Sequence, residues 1–162
     1  MRRVYICSPY RAADDAERER NLDYARELTR QALEAGLAPI TAHLYMTQCL
    51  DEDEPWEREV GLAAGEALLK GCDFVLAGIR HGISEGMRTE IKVAEMAGIE
   101  VVNADKLQNK LEHDRKRKLE EYADLHLCEY CEGYKLHSCT GYKCQEPYNK
   151  AYEQAKKRYK VT

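Results

Sequence analysis

Long apolar runs are missing from this chain of 162 residues. The longest falls far short of the roughly 20 residues a membrane-spanning helix needs, which excludes a helical membrane protein. The start of the chain lacks the apolar segment and small-residue cleavage site of a secretory leader. Arg3-Val4-Tyr5-Ile6 enters a strand-like pattern at once, so a cytosolic location is expected. Proline is scarce, at four residues, and no low-complexity run or internal repeat is present. That removes disordered linkers and repeat arrays from consideration. What is present is globular: 44% hydrophobic and 33% charged residues, enough for one ordinary domain and a small appendage.

Charge and aromatic residues divide the chain. Residues 1–104 carry 12 Lys+Arg against 19 Asp+Glu, and residues 105–162 carry 13 against 10. Seven of the eleven tyrosines fall in the second part. A boundary is therefore expected near Asp105, with an α/β domain over 1–104 and a helical linker and cysteine module over 105–162.

In the first part, strand and helix patterns alternate four times. Val4–Cys7, Leu37–Ile40, Asp73–Ala77 and Ile99–Val102 read as short buried strands, and Pro39 suggests an edge or strand end. Leu22, Ala25, Leu28, Ala32 and Leu33 mark one apolar helix face that stops near Gly36. Pro55 suits the first turn of a second helix running to about Lys70. A third is expected to open at Gly86 and stop at Gly98. The alternation predicts a flavodoxin/Rossmann-like parallel sheet with helices on both faces. Ligands in such folds sit at the carboxyl ends of the strands where strand order reverses. The loops Ser8–Arg11 and Ile79–Met87 follow strands one and three and are expected to flank that crevice.

Gly82-Ile83-Ser84-Glu85-Gly86-Met87-Arg88-Thr89-Glu90 joins strand three to the next helix. Free N–H groups at a helix start, with Ser84 as an added donor, form an anion site. Gly82 and Gly86 let backbone approach a ligand. Glu90 falls about one turn into the helix, where a sugar would lie if a phosphate sat at its start. Arg11 supplies a second phosphate contact. The same residues also suit a plain turn, a cap and a carboxylate near a helix dipole.

Four segments in order resemble the nucleoside 2-deoxyribosyltransferase superfamily, which includes the 2′-deoxynucleoside 5′-monophosphate N-glycosidases, and look closest to an uncharacterised, often phage-borne branch. They are Val4–Arg11, Ile40-Thr41-Ala42-His43, Gly71–Leu76 and Ser84–Glu90, a serine preceding the glutamate by six positions. The resemblance implies that Glu90 attacks C1′ of the sugar, or stabilises cationic character there, as the base departs. It implies that Tyr5 holds Glu90 or the sugar, and that Ser8, Arg11, Ser84, Gly86, Met87 and His43 line the nucleotide and its 5′-phosphate. It also implies a homo-oligomer, a dimer or larger, and no organic cofactor. One departure stands out. Where the family places a second acid, this chain has Gly65, with Glu66 adjacent and Glu59 less than two turns earlier. A binder or sensor without turnover is the alternative, and an interaction protein built on the cysteine module is a third reading.

Outside those segments, His81 lies in the Ile79–Glu85 loop, and Asp51-Glu52-Asp53-Glu54 suits a solvated loop better than a cation site. Trp56 suits packing better than a lid. Cys128-x2-Cys131 followed by Cys139-x4-Cys144 matches a four-thiolate zinc knuckle, a structural site. His126 and His137 are substitute ligands. Metal binding would supply folding free energy to a segment with little core of its own. Basic residues interleaved with tyrosines in this part also match nucleic-acid binders, but its net charge of about +3 makes that the weaker reading.

Overall fold

A computed structural model describes residues 1–131 and 145–159. The chain divides into two compact units, Met1–Leu107 and Gln108–Thr162.

The first unit is built on four parallel strands. They are β1 (Arg3–Cys7), β2 (Ala38–Ile40), β3 (Phe74–Ala77) and β4 (Val101–Asn103), in the spatial order β2-β1-β3-β4. Val4 to Cys7 and Phe74 to Ala77 are all buried, as expected of central strands covered on both faces. Pro39 lies on the edge strand and pairs with Val4, where a missing N–H costs the sheet least. Strand order reverses between β1 and β3, which pair from Val4↔Phe74 to Cys7↔Ala77. The fold is thus the α/β, Rossmann/flavodoxin-like architecture.

Helix α1 (Asp15–Glu34) packs against β1 and β2 and buries Tyr24, Ala25, Leu28 and Ala32. It begins a full two turns before the apolar periodicity does. Asp14 accepts from the Glu17 N–H at 2.7 Å, and Glu17 accepts in return from the Ala13 N–H at 2.7 Å. This reciprocal capping box draws the charged stretch into the helix. At the other end Gly36, at φ +73°, closes a left-handed cap in which the Leu37 N–H reaches Ala32 O. Gly78 brings β3's end close to α1: a β-carbon there would stand 2.3 Å from Leu28 Cδ1.

The other side chains of β1, Tyr5 and Cys7, share a second cluster with Leu69, Val75, Met87 and Ala94. This cluster joins α2 (Pro55–Lys70) and α3 (Glu85–Met96) to the sheet. Helix α3 starts one residue before Gly86 because Ser84 is its N-cap and accepts from the Met87 N–H at 3.2 Å. Between β2 and α2 the chain makes two short 3-10 turns, Ala42–Leu44 and Met46–Gln48.

The second unit contains most of α4 (Leu107–His126), a 3-10 turn (Leu127–Tyr130) and α5 (Gln145–Arg158), which packs on that turn. Tyr122 organises its aromatic contacts. It stacks on His126 at 4.1 Å, meets Tyr159 edge-on at 6.2 Å and lies under Arg158. On α4, the basic residues Lys116 and Arg117 form exposed ion pairs with Glu120 and Glu121, worth little each. Among the described residues, no helix is long and apolar enough to cross a membrane.

Candidate functional site

The carboxyl end of β1 gathers most of the residues singled out in the first unit. Tyr5 points from the strand toward α2 and α3, and its phenol donates to Glu90 Oε1 at 2.7 Å. Cys7, two residues on and on the same side of the strand, lies 3.9 Å through Sγ from Met87 O. The first turn of α3 is therefore seated against the end of β1. Glu90 is the sixth residue of α3, roughly 8 Å along the axis from Glu85. Its side chain tilts back toward the helix start, as helical side chains do.

Burial dominates the electrostatics here. It raises the Glu90 carboxyl above the usual carboxylate value, against the lowering effect of hydrogen bonds from Tyr5 and Cys7. Burial, and then the neighbouring Glu90 charge, push the Tyr5 phenol and the Cys7 thiol upward, so both stay protonated and act as donors. Among the described residues Glu90 forms no ion pair. It is a part-buried carboxylate held by neutral donors, and burial makes it more basic than an ordinary carboxylate.

Ser8, buried where β1 ends, hydrogen-bonds His43 through Oγ and Nε2 at 3.2 Å. Burial lowers the His43 imidazole to about 4, so it is neutral at physiological pH. The Tyr10 ring lies 6.0 Å from that imidazole. Beyond Tyr10 opens a cleft of about 700 Å³, walled by Tyr10, Arg11 and Arg18 on one side and by residues 47–53 with Glu57 on the other. Arg11 is exposed, and its guanidinium has no ion-pair partner among the described residues. Arg18 was not singled out by the sequence. It reaches the same cleft because the early start of α1 places it on the facing turn.

The start of α3 divides its roles. Ser84 Oγ and the Met87 N–H satisfy each other, and the Met87 side chain lies in the core. Met87 thus serves the site as a wall beneath it, while Glu85 and Gly86 present the helix-start N–H groups suited to an anion. Gly65 is buried on α2 directly over the phenol: a β-carbon there would stand 3.2 Å from Tyr5 Oη. A larger residue would have to displace the hydroxyl that holds Glu90. Neither substitute acid replaces it: Glu66 is exposed and paired with Lys70, and Glu59 is exposed. His81 is exposed and meets Tyr24 of α1 edge-on, on the opposite side of the sheet from Tyr5. Trp56, expected to pack, is 63% exposed on the face of α2 opposite Gly65.

A family model described as a domain of unknown function, DUF7768, matches residues 2–104. The chain belongs to this family. The match covers every strand of the DUF7768 domain and all the residues gathered around Glu90, and it ends close to the boundary between the two units. A comparison with curated proteins finds no match.

In the second unit, Cys128 and Cys131 sit on one tight turn, closed by the Cys131 N–H donating to Cys128 O at 3.3 Å. Both thiols are free. Cys139, Cys144 and His137 lie outside the described residues. His126 instead pairs with Glu129 through Nδ1 at 2.8 Å. Among the described residues no group of three or more potential ligands converges on a metal site.

Proposed function

We propose that the DUF7768 domain of this chain binds a nucleoside 5′-monophosphate and acts at the N-glycosidic bond, with Glu90 as nucleophile. The observation that carries this reading is the 2.7 Å hydrogen bond from Tyr5 to Glu90 beside the β1/β3 switch point. The phosphate is received by the N–H groups of Glu85 and Gly86, by Ser8 and Ser84, and by the Arg11 guanidinium. The sugar then lies over Glu90. The carboxylate forms a bond to C1′ while the base leaves with the electron pair of the glycosidic bond and gains a proton. Water releases the sugar phosphate, or a second base attacks C1′ in a transfer. Tyr5 orients the carboxylate throughout, and neutral His43 holds Ser8 in place. No organic cofactor is needed, and a second copy of the chain as partner accords with the resemblance.

For the second unit we propose a structural zinc ion held by Cys128, Cys131, Cys139 and Cys144. The Cys128–Cys131 turn supports it, since a two-residue gap on a tight turn lets both sulfurs reach one ion.

A binder without turnover is the second reading, favoured by Gly65, which leaves no carboxylate on α2 opposite Glu90. Incubation with a panel of ribo- and 2′-deoxynucleoside 5′-monophosphates, with and without an acceptor base, separates the two. Free base or an exchanged base supports catalysis. Nucleotide binding with neither product supports the binder.

A further inference from the structure

Two glycines one turn apart on one face of α2 lie close to side chains from other segments. Tyr5 Oη lies over Gly65, while Gly61 meets Leu50 Cδ1 first, 3.3 Å from where a β-carbon would be, and then Glu52 Oε1 at 3.9 Å. The two glycines are about 6 Å apart along the helix. The Glu52 carboxylate therefore faces the same strip of α2 as the Tyr5–Glu90 pair, about one turn toward the cleft. Four acids wall that cleft, and three of them have other placements. Asp51 accepts from the Asp53 N–H, Glu57 accepts from the Asp51 N–H, and Asp53 is exposed. Glu52 differs. Its Oε2 is anchored by Arg58 Nη1 at 3.2 Å, both side chains are about 30% exposed, and among the described residues its Oε1 accepts no hydrogen bond. The result is a fixed, half-buried carboxylate oxygen with open acceptor capacity, facing a cavity.

We infer that Glu52 is a specificity-determining residue that accepts a hydrogen bond from the ligand, either from a sugar hydroxyl or from an amino group on the base. This rests on the nucleotide reading of the site and adds to it the residue that selects among nucleotides. A carboxylate fixed in this way favours ligands that present a donor there. It also disfavours those that leave it facing an acceptor, because a carboxylate oxygen and an acceptor repel and neither can satisfy the other. Arg58 positions it.

Titration calorimetry of the full chain with dAMP, dCMP, dGMP, dTMP, dUMP and the matching ribonucleotides tests the assignment in wild type, Glu52→Gln and Asp53→Asn. Glu52→Gln keeps the contact to Arg58 through its amide oxygen. The expected result is about a tenfold or greater loss of affinity in Glu52→Gln for the preferred nucleotides, a flattened preference across the panel, and no change in Asp53→Asn. A loss confined to amino-bearing bases places the contact on the base, and one shared by all bases places it on the sugar. An unchanged preference in Glu52→Gln, or an equal loss in Asp53→Asn, overturns the role of Glu52 and leaves the nucleotide site standing. A wild-type protein that binds no monophosphate overturns both.

Discussion

Tyr5 and Glu90 are 85 positions apart in sequence, yet the phenol donates directly to the carboxylate at 2.7 Å. The contact ties the central strand to the helix that follows the switch point, and Gly65 of α2 leaves room for it. A neutral, buried donor holds a carboxylate that burial makes more basic than usual. That relationship is the core of the proposed chemistry.

Removing the phenol isolates it. Tyr5→Phe leaves Glu90 without its shortest hydrogen bond and should destabilise the domain by about 1–3 kcal/mol in urea denaturation. Because that hydrogen bond lowers the Glu90 value, the variant should also shift the acid limb of any pH–rate profile upward. A variant as stable as wild type with an unmoved limb would show that the contact contributes neither.

Glu90 gives the stability curve a definite sign. Its folded value lies above the usual 4.5, so its contribution favours the fold below about pH 4.5 and is lost as pH rises through the raised value. Glu90→Gln carries no charge and keeps an acceptor for Tyr5. Its Tm should therefore gain on wild type between pH 4 and pH 7, measured by calorimetry, and a flat difference would contradict the assignment.

His43 acts in the opposite sense. With a folded value of about 4 against an ordinary 6.5, it stabilises the fold above pH 6.5 and loses that contribution as pH falls through 4. NMR should find its imidazole neutral at pH 6 and titrating near 4. His43→Gln should show a smaller loss of Tm over this range. An imidazole titrating near 6.5 would mean that the Ser8–His43 pair is open to solvent.

The cysteine module predicts its own metal content. Elemental analysis should find one zinc per wild-type chain and little in Cys128→Ser or Cys139→Ser. Chelation should lower helical circular dichroism as the second unit loosens. Metal-free protein in which Cys128, Cys131, Cys139 and Cys144 all titrate freely alongside the exposed Cys49 would refute the zinc proposal.

Much of this architecture is legible in the sequence. Central parallel strands are buried on both faces, so Val4–Cys7 and Phe74–Ala77 show as unbroken apolar runs. Pro39 marks its strand as an edge. Other features needed three dimensions or a closer local reading. The start of α1 was obscured because its first turns face solvent and carry charge. The Asp14–Glu17 capping box was the signal that could have found it. The sequence points Ser84 and Met87 toward a ligand, and in the fold they also satisfy each other as a cap. Glu52 was hidden in a run of four acids, because sequence does not reveal which one a guanidinium turns inward. The closeness of Gly65 to Tyr5 is invisible in a sequence where they are 60 positions apart.

The most direct test is chromatographic detection of free base after incubating wild type and Glu90→Gln with 2′-deoxynucleoside 5′-monophosphates, with nucleotide binding measured in parallel. The account predicts base release by wild type, release at background level by Glu90→Gln, and comparable phosphate-dependent binding by both. Equal base release by the two proteins would contradict it.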